Sequence, residues 1–137
     1  MTPVFADTTL YLALFSYDDA WHAKAVDWSR RNTRPVVLTE FVLIEVGNAL
    51  SEPPARSLFL DLVRRLRLQK TTEIVPASTE LVARGLELFA QRSDKGWSVT
   101  DCISFIVMRD RGITDAAAAD HHFEQAGFTL LLKSPSP

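Results

Sequence analysis

Two aspartates, Asp7 and Asp120, stand immediately after short apolar runs. Asp7 follows VFA and Asp120 follows AAAA. If these runs are parallel strands, both carboxylates lie at the carboxyl edge of the sheet, where such sheets bind their ligands. Either residue could instead cap the helix that follows it, because Asp is a favoured N-cap. The pattern predicts acidic chemistry at a sheet edge and leaves the capping role open.

A third aspartate, Asp101, opens the apolar run CISFIVM within the stretch SVTDCISFIVMRD. A carboxylate buried with such a run needs a compensating partner, since an unpaired charge is costly away from water. Ser98 provides one through a capping box, in which Ser98 and Asp101 each accept a backbone hydrogen bond at the helix start. The spacing therefore predicts a cap, with which a role in a charged site can coexist.

Glu45 lies in the middle of a predicted helix, on a face that is substantially apolar. The positions four before, three before and four after it are occupied by Phe41, Val42 and Ala49. These positions are its neighbours on a helix surface. A cap cannot explain a mid-helix glutamate, whereas a snorkelling or ion-paired side chain can. A functional carboxylate is the third interpretation.

Four acids that converged at one end of a parallel sheet would repel one another and have raised pKa values unless a cation shared the site. The set offers carboxylate oxygens, no thiolate and no evident histidine cluster, which favours Mg²⁺ or Mn²⁺ over zinc or copper. Such ions activate water and stabilise charge on a phosphodiester during in-line displacement. Phosphodiester hydrolysis is therefore the chemistry that these four residues favour.

Strand-like and helical segments alternate along the chain. The strand-like runs are PVFA (3–6), PVVLT (35–39), EIVPAS (73–78), TDAAAAD (114–120) and FTLLL (128–132). The predicted helices cover 8–15, 20–32, 40–50 with Thr39 as cap, 53 to about 70, 79–92, 99–112 with Gly112 as stop, and one turn in 121–127. This alternation predicts an α/β fold, a parallel sheet of about five strands with helices on both faces. We expect one domain over residues 1–133 and a short flexible tail over 134–137.

The composition is that of a soluble globular protein, since 47% of the 137 residues are hydrophobic and 23% are charged. No apolar run approaches the roughly 20 residues of a membrane helix. The N-terminus MTPVFAD lacks the basic start and long apolar segment of a signal peptide. We therefore expect a cytoplasmic protein without membrane contact. The single cysteine, Cys102, cannot form an internal disulfide, and its apolar neighbours indicate a buried thiol rather than a nucleophile.

The net charge of −2 gives no global attraction to nucleic acid, so a polyanionic partner must be held by a local patch. The candidate patch is Arg64, Arg65 and Arg67 in VRRLRLQK. These arginines could instead be the solvated side of an amphipathic helix whose buried stripe is Leu60, Val63 and Leu66. The patch is thus a weak candidate for contact with RNA or with a protein partner.

The segments FADTTLYLALF, LTEFVLIEVGNAL, DKGWSVTDCISFIVMRDRGI and AAADHHFEQAGF follow one another at ordinary spacing. Together they closely resemble PIN domains, specifically the VapC-type ribonuclease toxins of toxin–antitoxin pairs. The resemblance covers nearly the whole chain. It implies an α/β/α sandwich, Mg²⁺- or Mn²⁺-dependent endonucleolytic cleavage of RNA, and a homodimer that a cognate antitoxin neutralises.

The same resemblance assigns roles to individual residues. It implies that the metal site consists of the four acids, with the first and third as the foremost ligands: Asp7, Glu45, Asp101 and Asp120. It also implies that Thr9 and Ser98 are supporting hydroxyl residues. One departure concerns Ala118, which stands where family members often have Thr or Ser two residues before the fourth acid. The support of the Asp120 carboxylate is therefore an open point.

Two other function classes fit parts of the sequence. A phosphohydrolase of the haloacid-dehalogenase type also has an aspartate after its first strand, but it needs a second one two residues later, where this chain has Thr9. That mechanism also leaves Glu45 unexplained. A catalytically silent PIN-like module that binds RNA or an antitoxin is the other alternative, and the presence of all four acids weighs against it.

Overall fold

The computed structural model describes residues 1–132. Its sheet has five strands, β1 Val4–Ala6, β2 Val36–Thr39, β3 Thr72–Val75, β4 Asp115–Ala117 and β5 Thr129–Leu130. All neighbours pair in parallel, in the order β3-β2-β1-β4-β5. The predicted parallel sheet is confirmed, although the last two strands are shorter than the runs TDAAAAD and FTLLL. The tail predicted over 134–137 lies outside the described residues.

The helices also follow the predicted alternation. They are α1 Thr8–Phe15, α2 His22–Arg31, α3 Glu40–Ala49, α4 Pro53–Leu68, α5 Thr79–Gln91, α6 Val99–Arg111 and α7 His122–Gln125. The chain winds from β1 outward to β3, then returns through α5 and α6 to β4 on the other side of β1. Because parallel crossovers are right-handed, this reversal places α1–α4 on one face of the sheet and α5–α7 on the other. The molecule therefore has the predicted three layers, with the sheet between two layers of helices.

Local chemistry explains where the helices begin and end. The Thr39 hydroxyl accepts a hydrogen bond from the Val42 amide at 3.1 Å, as predicted for the cap of α3. Pro53 opens α4, where a missing N–H is tolerated. Gly112 ends α6 with φ +65°, a conformation that glycine adopts without strain. These signals are readable from sequence, which is why the helix positions were predictable.

Helix α6 is the central element of the core. Every residue from Asp101 to Met108 is buried. The Phe105 ring packs edge-on against Phe123 and Trp97, with ring centroids 5.0 Å apart in both pairs. Helix α6 packs against α5 and α7, and it has no solvated face between Asp101 and Met108. Asp101 therefore begins a continuously buried segment.

The buried face of α4 differs from the predicted one. Leu60 was expected in the buried stripe, yet it is 65% exposed. The residues of α4 that pack against the core are Phe59, Leu62, Val63 and Leu66. The prediction was wrong at Leu60 because helical spacing alone does not fix the rotation of a helix whose apolar residues cover more than one face. None of the helices among the described residues is long and apolar enough to cross a bilayer.

Candidate active site

The strand order reverses between β1 and β4, and two of the four acids follow these strands. Ala6 and Ala117 are paired in register, and the Asp7 amide donates to the Ala117 carbonyl at 3.2 Å. Asp120 lies three residues beyond the end of β4. In open α/β sheets the crevice at such a reversal is the usual ligand site. The predicted position of Asp7 and Asp120 at this sheet edge is confirmed.

Asp7 is both a helix cap and a buried carboxylate. Its Oδ2 accepts hydrogen bonds from the Thr9 hydroxyl at 2.8 Å and from the Thr9 amide at 3.3 Å. The side chain is almost inaccessible to water, at 2% exposure. Burial raises the pKa of Asp7 to about 7, the Thr9 bonds oppose that rise, and the charge of Asp101 adds to it. The carboxylate is therefore held in place without a cation to neutralise it.

Thr9 connects the two strand ends. Its hydroxyl donates to Asp7 and accepts from the Ala119 amide at 3.0 Å. The start of α1 is thereby tied to the loop that carries Asp120. The sequence identified Thr9 only as a small polar residue after Asp7, since its bond to Ala119 spans 110 positions.

Asp101 forms the predicted capping box at the start of α6. Its Oδ2 accepts from the Ser98 amide at 3.0 Å, and the Ser98 hydroxyl accepts from the Asp101 amide at 2.9 Å. Burial raises the pKa of Asp101, and the charge of Asp120 raises it further, while the Ser98 amide and His122 oppose the rise. The cap is confirmed, and the capping box orients the same carboxylate toward the acidic site.

Cys102 is a buried thiol, as expected. Burial raises its pKa and the charge of Asp101 raises it further, so the thiol is not activated as a nucleophile.

Glu45 is half-buried and reaches the site through Thr8. The Thr8 hydroxyl donates to Glu45 Oε1 at 2.5 Å, which places this carboxylate beside the residue that follows Asp7. The apolar face around Glu45 is only partly buried, since Val42 is buried but Ala49 is exposed. Among residues 1–132 no cation pairs with Glu45, so the ion-pair interpretation is not supported. The hydrogen bond from Thr8 holds the glutamate instead.

His122 is the site residue that sequence reasoning missed. Its Nδ1 lies 3.2 Å from Asp101 Oδ2 and 3.2 Å from Asp120 Oδ1. Its amide also donates to Asp120 Oδ1 at 2.9 Å. The absence of a histidine cluster, assumed from the sequence, was therefore wrong. The residues HH directly after Asp120 were the available signal, but their approach to Asp101 depends on the packing of α7 against α6.

The Asp120 carboxylate needs no hydroxyl from position 118. Ala118 is fully buried and offers no side-chain donor. The His122 amide supplies a hydrogen bond within the same turn. The departure from the family pattern at Ala118 is thus accompanied by a backbone contact that holds Asp120.

The donor set fits a divalent cation. Among residues 1–132, no Lys or Arg nitrogen pairs with any of the four acids. The basic side chains that contact these acids are His121 and His122. The hydrogen bonds from Thr9 to Asp7 and from the Ser98 amide to Asp101 all use Oδ2. In the same part of the chain, Asp120, His121 and His122 offer three ligand atoms within 4.8 Å of one another. Buried carboxylates without a cationic partner are what a divalent ion would stabilise.

The comparison with known sequences identifies the family. The model of the PIN domain family matches residues 4–129. The chain belongs to the PIN domain family. The chain is also 30% identical over 127 residues to the 23S rRNA-specific endonuclease VapC20 of two Mycobacterium tuberculosis strains. The match covers 91% of this chain and 95% of that protein. The resemblance read from the four sequence segments is confirmed.

Solved structures give the same assignment for the fold of this PIN domain. The crystal structure of Mycobacterium tuberculosis VapC20, a sarcin–ricin loop cleaving toxin, superimposes with a TM-score of 0.83 at 26% identity, over 92% of this chain and 96% of that one. FitAcB from Neisseria gonorrhoeae superimposes with a TM-score of 0.65 at 15% identity, over 93% and 95%. The second likeness concerns the fold alone.

The arginines of the predicted basic patch do not form one surface in this PIN domain. Arg64 and Arg65 both pair with Asp61, the second through a 2.8 Å contact. Arg67 turns instead toward a groove between α3 and α4. The groove has a volume of about 730 Å³, and its lining includes Ile44 and Leu60, which are 57% and 65% exposed. The solvated-face interpretation fits Arg64 and Arg65, whereas Arg67 borders an apolar surface.

Proposed function

We propose that this PIN domain is a metal-dependent endoribonuclease of the VapC type that hydrolyses a phosphodiester bond of RNA. The observation that carries the proposal is the convergence of two buried aspartates and two further acids at the reversal of the strand order, without a Lys or Arg to neutralise them. Membership of the PIN family and the likeness to an RNA endonuclease support it. We assign the activity to one domain over residues 1–133, in the cytoplasm.

The four acids are proposed to hold Mg²⁺, or Mn²⁺ as a substitute. Asp7 and Asp101 are the foremost ligands because both are buried carboxylates that hydrogen bonds hold in place. When bound, the cation would neutralise the acids and acidify a water for attack on phosphorus. Glu45 is the more exposed carboxylate beside Asp7, and we assign to it the orientation of that water and the acceptance of its proton. Asp120 completes the acidic site.

The substrate is proposed to be structured ribosomal RNA, of the class that the VapC20 name specifies. Identity of 30% over nearly the full length of both proteins supports this choice. The test is cleavage of purified ribosomes and of a synthetic sarcin–ricin stem-loop, with mapping of the product ends. We expect one discrete cut that requires Mg²⁺ or Mn²⁺. An absence of cleavage under any divalent ion, with Asp7→Asn behaving like wild type, would contradict the proposed function.

A cognate antitoxin is the proposed regulatory partner, and the groove between α3 and α4 is its proposed docking site. Glu40 and Ala77, which follow β2 and β3, line the groove at the same sheet edge as the acids. A protein segment in the groove would therefore end near the active site. With a cognate antitoxin as the ligand, Leu60→Asp should weaken the complex. Leu68→Asp, an equally exposed change outside the groove lining, is the matched control.

We also propose a homodimer, with an exposed apolar stripe on α5 as its contact surface. Trp21 and Trp28 are partly buried against the core, so they offer little free surface. A stripe on α5 is exposed instead, at 37% for Val82, 49% for Leu86 and 46% for Phe89. Sedimentation at micromolar concentration should give a dimer mass that Leu86→Glu reduces to a monomer. A monomeric wild type would contradict this assignment.

A further inference from the structure

Thr8, the first residue of α1, connects two elements that carry acids of the site. It follows Asp7 directly, and its hydroxyl donates to Glu45 Oε1 on α3 at 2.5 Å. The bond spans 37 positions of the chain, across the contact between α1 and α3. Thr8 is only 8% exposed, so little water competes for this bond. The start of α1 is thus attached to the helix that supplies Glu45.

Thr8 and its neighbour Thr9 bond to different parts of the site. The Thr9 hydroxyl donates to Asp7 and accepts from the Ala119 amide in the loop after β4. The Thr8 hydroxyl donates instead to Glu45. Two consecutive hydroxyl groups therefore join the end of β1, the loop after β4 and the middle of α3. Thr8 is the member of this pair that reaches another helix.

Glu45 depends on this bond for its orientation. Among residues 1–132, no other hydrogen bond or ion pair reaches its carboxylate. A glutamate has several rotatable side-chain bonds, and on a half-buried helix face it would otherwise sample several rotamers. The bond from Thr8 selects among these rotamers, because only those that bring Oε1 to the hydroxyl retain it.

We propose that Thr8 is a positioning residue for RNA cleavage, which holds the Glu45 carboxylate in the orientation that accepts the proton of the attacking water. This inference rests on the proposed function, because it concerns the base of that same site. A general base acts only within hydrogen-bond reach of the proton that it takes. A displacement of about 1 Å can lower a rate roughly 100-fold. Thr8 acts through Glu45 and takes no part in bond making.

Steady-state cleavage of the stem-loop RNA by Thr8→Val and Thr8→Ser tests the proposal. Val keeps the branched shape of Thr without its hydroxyl, whereas Ser keeps the hydroxyl. At saturating Mg²⁺ we expect Thr8→Val to lower kcat by roughly 10- to 100-fold and to change KM by less than about 3-fold. Thr8→Ser should retain kcat within about 3-fold of wild type.

Thr72→Val is the matched control for the loss of a threonine hydroxyl. The Thr72 hydroxyl also donates to a side-chain oxygen, Gln69 Oε1 at 2.7 Å. Thr72 begins β3, so it lies at the edge of the parallel sheet opposite to the acids. Its replacement should leave both kcat and KM unchanged.

A double-mutant cycle of stability in EDTA supplies a readout that does not depend on activity. Thr8→Val should raise the equilibrium constant of unfolding roughly 10-fold in wild type, because it removes a hydrogen bond to a charged group. In the Glu45→Ala background the same change should have little effect, since the hydroxyl has already lost its acceptor. Urea unfolding followed by tryptophan fluorescence measures the constant for all four proteins.

Three results would overturn the inference. The first is a wild-type kcat in Thr8→Val, and the second is a loss of kcat in Thr8→Ser as large as that in Thr8→Val. The third is an equal effect of Thr8→Val on unfolding with and without Glu45. None of them affects the proposed function, which is judged by metal-dependent RNA cleavage in wild type and its loss in Asp7→Asn. An inactive wild type would remove the proposed function, and this inference with it.

Discussion

Replacement of Asp7 by Asn should stabilise the metal-free protein at alkaline pH. The folded protein binds the Asp7 proton more tightly than the unfolded chain does, because the pKa of this carboxyl is about 7 when folded and 3.8 in the ordinary case. A group with a raised acid pKa destabilises the fold progressively as pH rises from the unfolded value to the folded one. Wild type in chelator should therefore lose stability between pH 4 and pH 7. Asp7→Asn has no carboxyl to ionise at this position, so it should not show this loss.

The magnitude follows from the interval that the experiment covers. Between pH 5 and pH 8 the folded carboxyl ionises near pH 7, while the unfolded carboxyl is already ionised. The two pH units from 5 to 7 correspond to about 3 kcal/mol at about 1.4 kcal/mol per unit. The free energy of unfolding of Asp7→Asn minus that of wild type should thus be about 3 kcal/mol larger at pH 8 than at pH 5. Asn keeps an oxygen for the Thr9 hydroxyl, so the cap is largely retained.

Urea unfolding with EDTA, followed by tryptophan fluorescence at both pH values, measures this difference. Asp27→Asn is the matched control, since Asp27 is an exposed aspartate in a surface pair with Arg31. It should leave the pH profile of wild type unchanged. Saturating Mg²⁺ should stabilise wild type at pH 8 far more than Asp7→Asn. If wild type were equally stable at pH 5 and pH 8 in EDTA, or if Asp7→Asn lost stability at pH 8, the buried-charge argument would be refuted.

Three further predictions concern the reaction and its surroundings. RNA cleavage should stop with EDTA, resume with Mg²⁺ or Mn²⁺, and leave a 5′-phosphate, as end mapping of the products will show; full activity in chelator would exclude the metal mechanism. Asp101→Asn should keep or raise stability in EDTA, because the pKa of Asp101 is raised on balance, while losing the Mg²⁺-induced thermal shift and cleavage. A variant that keeps the full shift and still cuts RNA would make Asp101 a cap only. Replacement of Arg64 and Arg65 by Gln should leave RNA binding and its salt dependence unchanged, because both pair with Asp61 on a solvated face, and weaker binding with a flatter salt dependence would show instead that they contact RNA.

The sequence predicts where helices and strands begin and end better than it predicts the contacts between them. Asp7 and Asp120 were assigned to one sheet edge because alternation predicts parallel strands, and parallel strands bring their carboxyl ends together. The capping box of Ser98 and Asp101 was predictable because it is a local pattern of three-residue spacing. Periodicity and local hydrogen bonding were sufficient for these parts of the site.

Other parts of the site depend on tertiary packing that no local pattern encodes. The bond between Thr8 and Glu45 joins residues 37 positions apart, and the contact of His122 with Asp101 joins residues 21 positions apart. Each depends on how α1 and α7 pack against the helices that carry the acids. The exposure of Leu60 depends in the same way on the rotation of α4. The sequence therefore predicted which acids converge, with Thr9 and Ser98 beside them, and missed the contacts that Thr8 and His122 make with Glu45, Asp101 and Asp120.

Capping a helix and binding a metal ion are compatible roles for Asp7 and Asp101. Asp7 caps α1 and Asp101 caps α6, so the positive ends of two helices point toward the acidic site. These ends favour the ionised form of carboxylates that burial would otherwise protonate, which is why the capping bonds oppose the rise in both pKa values. In each residue the capping bonds use Oδ2. Burial still raises both pKa values on balance, so capping orients the carboxylates and limits that rise, and a bound cation would complete the stabilisation of their ionised form.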